Sequence, residues 1–159
     1  MVGAPTSVTA VLEECSQRIV VKPAALAHMA ERRQIRWFAR EAGGQLFGTL
    51  SQSEVVITKA TGPYPGDSRW RYSYRSNPKA AQKAIDENAA LGLMYLGEWH
   101  THPEAMPTAS PADEATILGL RRKSTLRLSS VVMIIQGTNG LAIHSVGEGG
   151  TRRWAEAAC

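Results

Sequence analysis

Leu93-Met94-Tyr95-Leu96-Gly97-Glu98-Trp99-His100-Thr101-His102-Pro103, followed by Ser110-Pro111-Ala112-Asp113, is the stretch that orders the rest of the chain. Its first seven residues are mostly apolar and predict a buried strand over 93–99 that delivers two histidines at its end. Residues i and i+2 of an extended chain point to one side, so His100 and His102 can converge on one point. Ser110 is a helix N-cap with Pro111 at the first helical position, which puts Asp113 in the first turn. A strand that ends in two ligand-type side chains and a helix that opens on a third argue for an α+β domain.

Working outward, Arg18–Val21 reads as a short strand, and Ala24–Phe38 has helical composition behind Pro23. Glu41-Ala42-Gly43-Gly44 breaks that pattern. Residues 45–51 and 54–60 read as two strands joined by Ser51-Gln52-Ser53. Gly62–Ser68 is a loop, and the length of 62–75 suggests a segment that contacts substrate. Tyr72–Tyr74 is a short strand candidate. Asn77 caps a helix through Ala90. The helix after Ser110 is expected to reach about Lys123, and residues 130–136 and 141–146 to form a hairpin. Residues 1–16 are expected as a loose tail or weak edge strand, and 148–159 as frayed. The expectation is one domain over 1–159, with its core in about 18–146, and one mixed sheet with helices against it.

An apolar fraction of 43% and a charged fraction of 20% exclude a disordered or fibrous class. No run of about 18 apolar residues predicts a transmembrane helix, so no membrane partner is expected. Met1–Ser16 lacks the basic start and apolar block of a signal peptide. Cys15 and Cys159 stand far apart without metal-type spacing, which reads as free thiols in a cytoplasmic protein. The formal net charge of +4 comes from scattered basic residues. It argues for solvated faces or an acidic protein partner rather than a nucleic-acid footprint.

Two histidines and an aspartate are the three protein ligands of a catalytic zinc site, which keeps a fourth position for water. Such a zinc, one per chain, lowers the pKa of water to about 7 and polarises a carbonyl. Amide hydrolysis also needs a carboxylate that is not a ligand to carry the proton to the leaving amine. Glu41, just before Gly43-Gly44, is the leading candidate, ahead of Glu98. The Ser110 hydroxyl can donate to the oxyanion as well as cap its helix. Taken singly, Glu41 could be a helix-end carboxylate bound to Arg36 or Arg40. His28 and His144 have no partner pattern and read as structural or exposed. Arg69 and Arg71 are candidates for contacting substrate, with a loop ion pair to Asp67 as the alternative. A peptide adding as a strand at a sheet edge would suit such a site.

The whole arrangement resembles the JAMM metalloprotease family, built on the MPN or JAB domain. That motif is Glu, a long gap, His-x-His-Pro, six residues, Ser, two residues, Asp. Here it falls on Glu41, His100, His102, Pro103, Ser110 and Asp113, with Glu-x-Gly-Gly-x-Leu-x-Gly present as Glu41 to Gly48. Thr101 stands where serine is more usual. The resemblance covers roughly residues 18–146. It implies a cytidine-deaminase-like mixed sheet flanked by helices and zinc-dependent cleavage of peptide or isopeptide bonds. Gly66–Arg71 and Gly97–Pro103 are most similar to the isopeptidases of type II CBASS anti-phage operons. Those act beside E1- and E2-like proteins and release a nucleotidyltransferase, a cyclic-nucleotide synthase, from conjugates formed through its C-terminal tail. A deconjugating protease for a bacterial ubiquitin-like modifier is the neighbouring alternative. A non-catalytic MPN scaffold or a DNA-associated RadC-like protein is an alternative of another class, the first weakened because every ligand position is kept.

Overall fold

The computed structural model describes residues 6–11, 17–111, 113–115, 130–147 and 150–156. The expected helical continuation to Lys123, and Cys15 and Cys159, lie outside the described residues. The elements in chain order begin with β1 (Val8–Val11), β2 (Arg18–Val21), α1 (Pro23–Ala30), β3 (Gly43–Leu50) and β4 (Glu54–Ala60). Next come β5 (Ser68–Arg69), β6 (Tyr74–Arg75), α2 (Pro78–Ala90) and β7 (Met94–Thr101). The chain then forms β8 (Ser130–Gln136), β9 (Leu141–Gly147) and β10 (Gly150–Glu156).

The main sheet is mixed, with parallel pairings of β2 with β4 and of β7 with β8. It closes on itself in the order β1-β10-β9-β8-β7-β3-β4-β2. Closure is what the terminal segments contribute. Residues 150–156, expected as frayed, pair with both β9 and β1, and Trp154 lies inside the barrel with its Nε1 donating to Ser145 Oγ at 2.7 Å. Val8–Val11 joins β2 to β10 and puts Ala10 in the core. Their sequence patterns are weak because two short strands gain most of their stability from satisfying backbone groups on both sides. The sheet edge expected beside the histidines is not there, because β7 pairs with β3 on one side and β8 on the other. The open edges near the site belong to the small β5–β6 ribbon.

The barrel interior holds Leu46, Ile57, Leu96, Trp99, Val132, Ile134, Ile143 and Trp154, with Ala25, Leu26 and Met29 of α1 in the same cluster. α2 covers another face, where Ala84 and Ile85 meet Phe47 and Tyr95. Asn77 caps α2 through its Oδ1, which accepts from Lys79 N and Ala80 N at 3.0 and 3.3 Å. α1 ends at Ala30, eight residues before the expected Phe38. Arg32 and Arg33 turn back onto the carbonyls of His28 and Ala30 at 2.7 and 2.9 Å. Beyond them Ile35, Trp37 and Phe38 find no core to face and stay exposed, so nothing anchors a longer helix. His28 is structural: its Nε2 donates to Gly62 O at 2.6 Å, and its ring meets the Trp99 ring edge-on.

Candidate metal centre

The register of β7 decides what its far end presents. Pairing with β3 shifts between Leu46 and Phe47, so β7 carries a bulge at Leu96-Gly97. A Cβ on Gly97 would lie 1.8 Å from Val132 O, so β7 can approach β8 there only as glycine. The bulge leaves Leu96 and Trp99 inside and turns Tyr95 and Glu98 to the outer face. His100 and His102 continue that outer row, and His102 is fixed past the strand end by its N–H to Gln136 O at 2.9 Å.

Asp113 reaches the same point from the opposite side. Ala109 packs over Val131, Met133 and Ile135 on the outer face of β8. Ser110 and Asp113 then form a reciprocal cap. Asp113 N donates to Ser110 Oγ at 3.1 Å, and Ser110 N donates to Asp113 Oδ2 at 2.9 Å. The Ser110 hydroxyl proton is not used in this cap and can still be donated.

Three side chains meet. His100 Nε2 and His102 Nε2 are 3.2 Å apart, His100 Nε2 and Asp113 Oδ1 are 3.2 Å apart, and His102 Nε2 and Asp113 Oδ2 are 3.3 Å apart. Ligands roughly 2.0–2.1 Å from a tetrahedral ion stand about 3.3–3.4 Å from one another, and each pair of these side chains offers two atoms at about that spacing. Two imidazole nitrogens and one carboxylate are a donor set that zinc accepts. Burial raises the Asp113 carboxyl, but hydrogen bonds from His100 and His102, the charge of His100 and the Ser110 N–H outweigh it and hold it well below its ordinary value. It therefore stands ionised, as a metal ligand must.

Glu41 is buried, and its Oε1 lies 3.9 Å from His102 Nε2, farther back than the three ligands. Burial pushes its carboxyl up to about 7, against the pull of His102. A carboxylate beside the metal position, outside the ligand triangle and titrating near neutrality, matches what a proton carrier needs. The backbone around it is held on both sides. Glu41 N donates to Trp70 O at 2.6 Å, and Arg69 Nε donates to Glu41 O at 2.7 Å. The next residues close against β7 and the end of β4: a Cβ on Gly43 would sit 2.6 Å from Trp99 O, and one on Gly44 1.7 Å from Thr61 O, so the close approach expected of Gly43-Gly44 is real.

Two residues with no signal in the motif complete the support. The Thr101 hydroxyl accepts from Ala42 N at 2.9 Å and donates to Gln34 Oε1 at 2.9 Å. Gln34 Nε2 in turn donates to Ala39 O and Arg71 O at 3.1 and 2.9 Å. The residue between the histidines thus ties the ligand strand to the Glu41 segment. Only its hydroxyl, kept where serine is more usual, could have hinted at this; Gln34 lies too far away in sequence to be read.

Glu98 is engaged elsewhere. Its oxygens accept from Gln45 Nε2 at 2.7 Å and Tyr95 OH at 2.9 Å. Asp67 makes no ion pair with Arg69 or Arg71. It accepts from Tyr64 N, Tyr74 OH and Asn77 N at 2.7, 2.5 and 2.6 Å and so folds the 64–77 segment over β3. Arg71 instead donates to the carbonyl of Trp37 and lies over the Tyr72 ring. His144 is buried on β9, and burial, followed by Arg153, lowers its pKa.

Comparison with known proteins matches residues 22–155 to the prokaryotic homologs of the JAB domain. The chain belongs to the prokaryotic JAB family. Glu41, His100, His102, Ser110 and Asp113 all fall inside the JAB match. A protein of Pseudomonas aeruginosa named CD-NTase/cGAS isopeptidase is 35% identical over 109 residues, covering 67% of this chain and 68% of that one. An Escherichia coli protein of the same name is 27% identical over 136 residues, covering 83% and 84% of the two chains. "Probable metalloprotease y4qB" of Sinorhizobium fredii is 31% identical over 105 residues, 63% of this chain and 64% of its own. The solution structure of DSY2949 from Desulfitobacterium hafniense superposes with a TM-score of 0.60 at 17% identity, over 84% of this chain and 87% of that one. It shares the fold.

Proposed function

We propose that this JAB protein is a zinc-dependent isopeptidase acting in the cytoplasm. Its substrate is a protein conjugated through an extended C-terminal tail, a cyclic-nucleotide synthase in bacterial antiviral defence. E1- and E2-like proteins build the bond that it removes. The observation that carries the reading is the triangle of His100, His102 and Asp113 with Glu41 one step behind it. The names of the relatives support the substrate class.

A zinc ion held by His100, His102 and Asp113 supplies Lewis acidity and makes water a nucleophile near neutral pH. Glu41 Oε1 takes a proton from the attacking water as its oxygen bonds the acyl carbon. The same carboxyl returns that proton to the leaving nitrogen as the C–N bond breaks. The products are the tail's carboxylate and the freed amine. Ser110 Oγ donates its proton to the oxyanion that forms between these steps. Arg69 and Arg71 line the approach to Glu41 and contact the tail or the protein behind it.

The test is metal content together with cleavage of a fusion joined through the synthase's C-terminal tail. Wild-type protein is expected to hold one zinc and cleave. Glu41→Gln is expected to keep the zinc and lose turnover by roughly 100- to 10,000-fold. Stoichiometric zinc in the His100→Ala/His102→Ala variant, or full activity in Glu41→Gln, overturns the assignment. Equal cleavage of a fusion with a scrambled tail overturns tail recognition.

A further inference from the structure

Beside Glu41 the surface carries an unusual set of side chains. Trp37 is 79% exposed, Tyr72 74%, Ile35 68%, Trp70 67% and Phe38 59%. They come from two segments that hydrogen bonds fasten side by side: Gln34 to Arg71 O, Arg71 to Trp37 O, and Glu41 N to Trp70 O. Exposed aromatic rings grouped in this way mark an interaction surface rather than chance exposure. Trp, Tyr and Arg are the residue types that dominate binding energy at protein interfaces.

The charge around these rings has one sign. Residues 31–40 and 66–76 contain seven arginines against Glu31 and Asp67. Both acids are spoken for: Asp67 by its three donors, and Glu31 by Arg32 at 3.7 Å. A second copy of this chain is a poor occupant, because a two-fold contact would oppose arginine to arginine. Arg36 lies over the Phe38 ring and Arg71 over the Tyr72 ring, so cations and apolar ring faces sit side by side on this surface.

We infer that the platform formed by residues 35–38 and 70–72 docks a protein segment in which carboxylates flank apolar side chains. Its aromatic rings take the apolar groups, and the surrounding arginines take the carboxylates. Contact through the Glu41 backbone places such a segment next to the metal centre.

The measurement is binding, so it stands whether or not the isopeptidase reading holds. The probe is a fluorescein-labelled 16-residue peptide alternating Glu with Leu and Phe, titrated against the full chain by anisotropy. Its controls are the same peptide with Lys for Glu and an oligothymidylate of equal length. Expected is submillimolar binding of the acidic peptide that weakens with salt. Trp37→Ser/Trp70→Ser and, separately, Arg36→Glu are each expected to weaken it about tenfold or more, with melting temperature and metal content unchanged. The inference is overturned by no binding, by equal binding of the lysine peptide, or by unchanged affinity in both variants. Tighter binding of the oligothymidylate overturns it in favour of nucleic acid.

Discussion

Arg69 donates its Nε to the backbone carbonyl of Glu41 at 2.7 Å. An arginine on a two-residue strand thereby sets where the proposed proton carrier sits, and burial lowers the guanidinium's own pKa at this post. Truncating it leaves Glu41 buried but free to shift. Displacement of a catalytic group by about 1 Å can cost about 100-fold in rate. Arg69→Ala is expected to lower kcat by about that factor while zinc stoichiometry holds. Steady-state kinetics with metal analysis is the check, and a change confined to KM would return Arg69 to simple substrate contact.

Thr101 offers a sharper test of the same support. Thr101→Val keeps the shape but strands Ala42 N and Gln34 Oε1, both of which now bond the hydroxyl. An unsatisfied buried polar group costs about 1–3 kcal/mol. The expected outcome is a lower denaturant midpoint together with reduced turnover. Thr101→Ser, which keeps the hydroxyl, should lose little of either.

One substitution separates the cap that Ser110 forms from its proposed part in catalysis. Its Oγ accepts Asp113 N and so helps aim the proposed ligand. Ser110→Ala is expected to weaken zinc affinity about 10- to 100-fold, as loss of a residue that orients a metal ligand does. At saturating zinc a further drop in kcat of about 100-fold or more is expected from the missing oxyanion donor. If saturating zinc restores full turnover, the hydroxyl acts only as a cap.

Glu98 predicts a pH effect on stability. It keeps some contact with solvent, yet burial pushes its carboxyl from 4.5 up to about 8, despite hydrogen bonds from Tyr95 and Gln45. The folded state therefore binds a proton that the unfolded state has released between about pH 4.5 and 8. Stability from this group is fully present below pH 4.5 and is lost as pH rises through 8. Glu98→Gln is expected to melt close to wild type at acid pH and above it at pH 9. Equal melting temperatures across that range would mean that the carboxylate is solvated in the fold.

The cluster of His100, His102 and Asp113 was legible in the linear chain because it depends on short-range geometry. Alternation carries His100 and His102 to one side, and a cap at Ser110 fixes where Asp113 begins its turn. α2 was legible for the same reason, since Asn77-Pro78 is a local start signal. The helix after Pro23 was over-extended, because composition does not reveal whether Ile35, Trp37 and Phe38 will find a core to face. Closure of the barrel by Val8–Val11 and Gly150–Glu156 was invisible, because the hydrogen bonds that make these strands come from distant partners. The bulge at Gly97 likewise arises from the β3 and β8 registers rather than from β7 itself. The links from Arg69 to Glu41 and from Thr101 to Gln34 join residues 28 and 67 apart. Short-range stereochemistry thus determined which atoms can bind metal. Only long-range packing decided how firmly they, and the carboxylate behind them, are held.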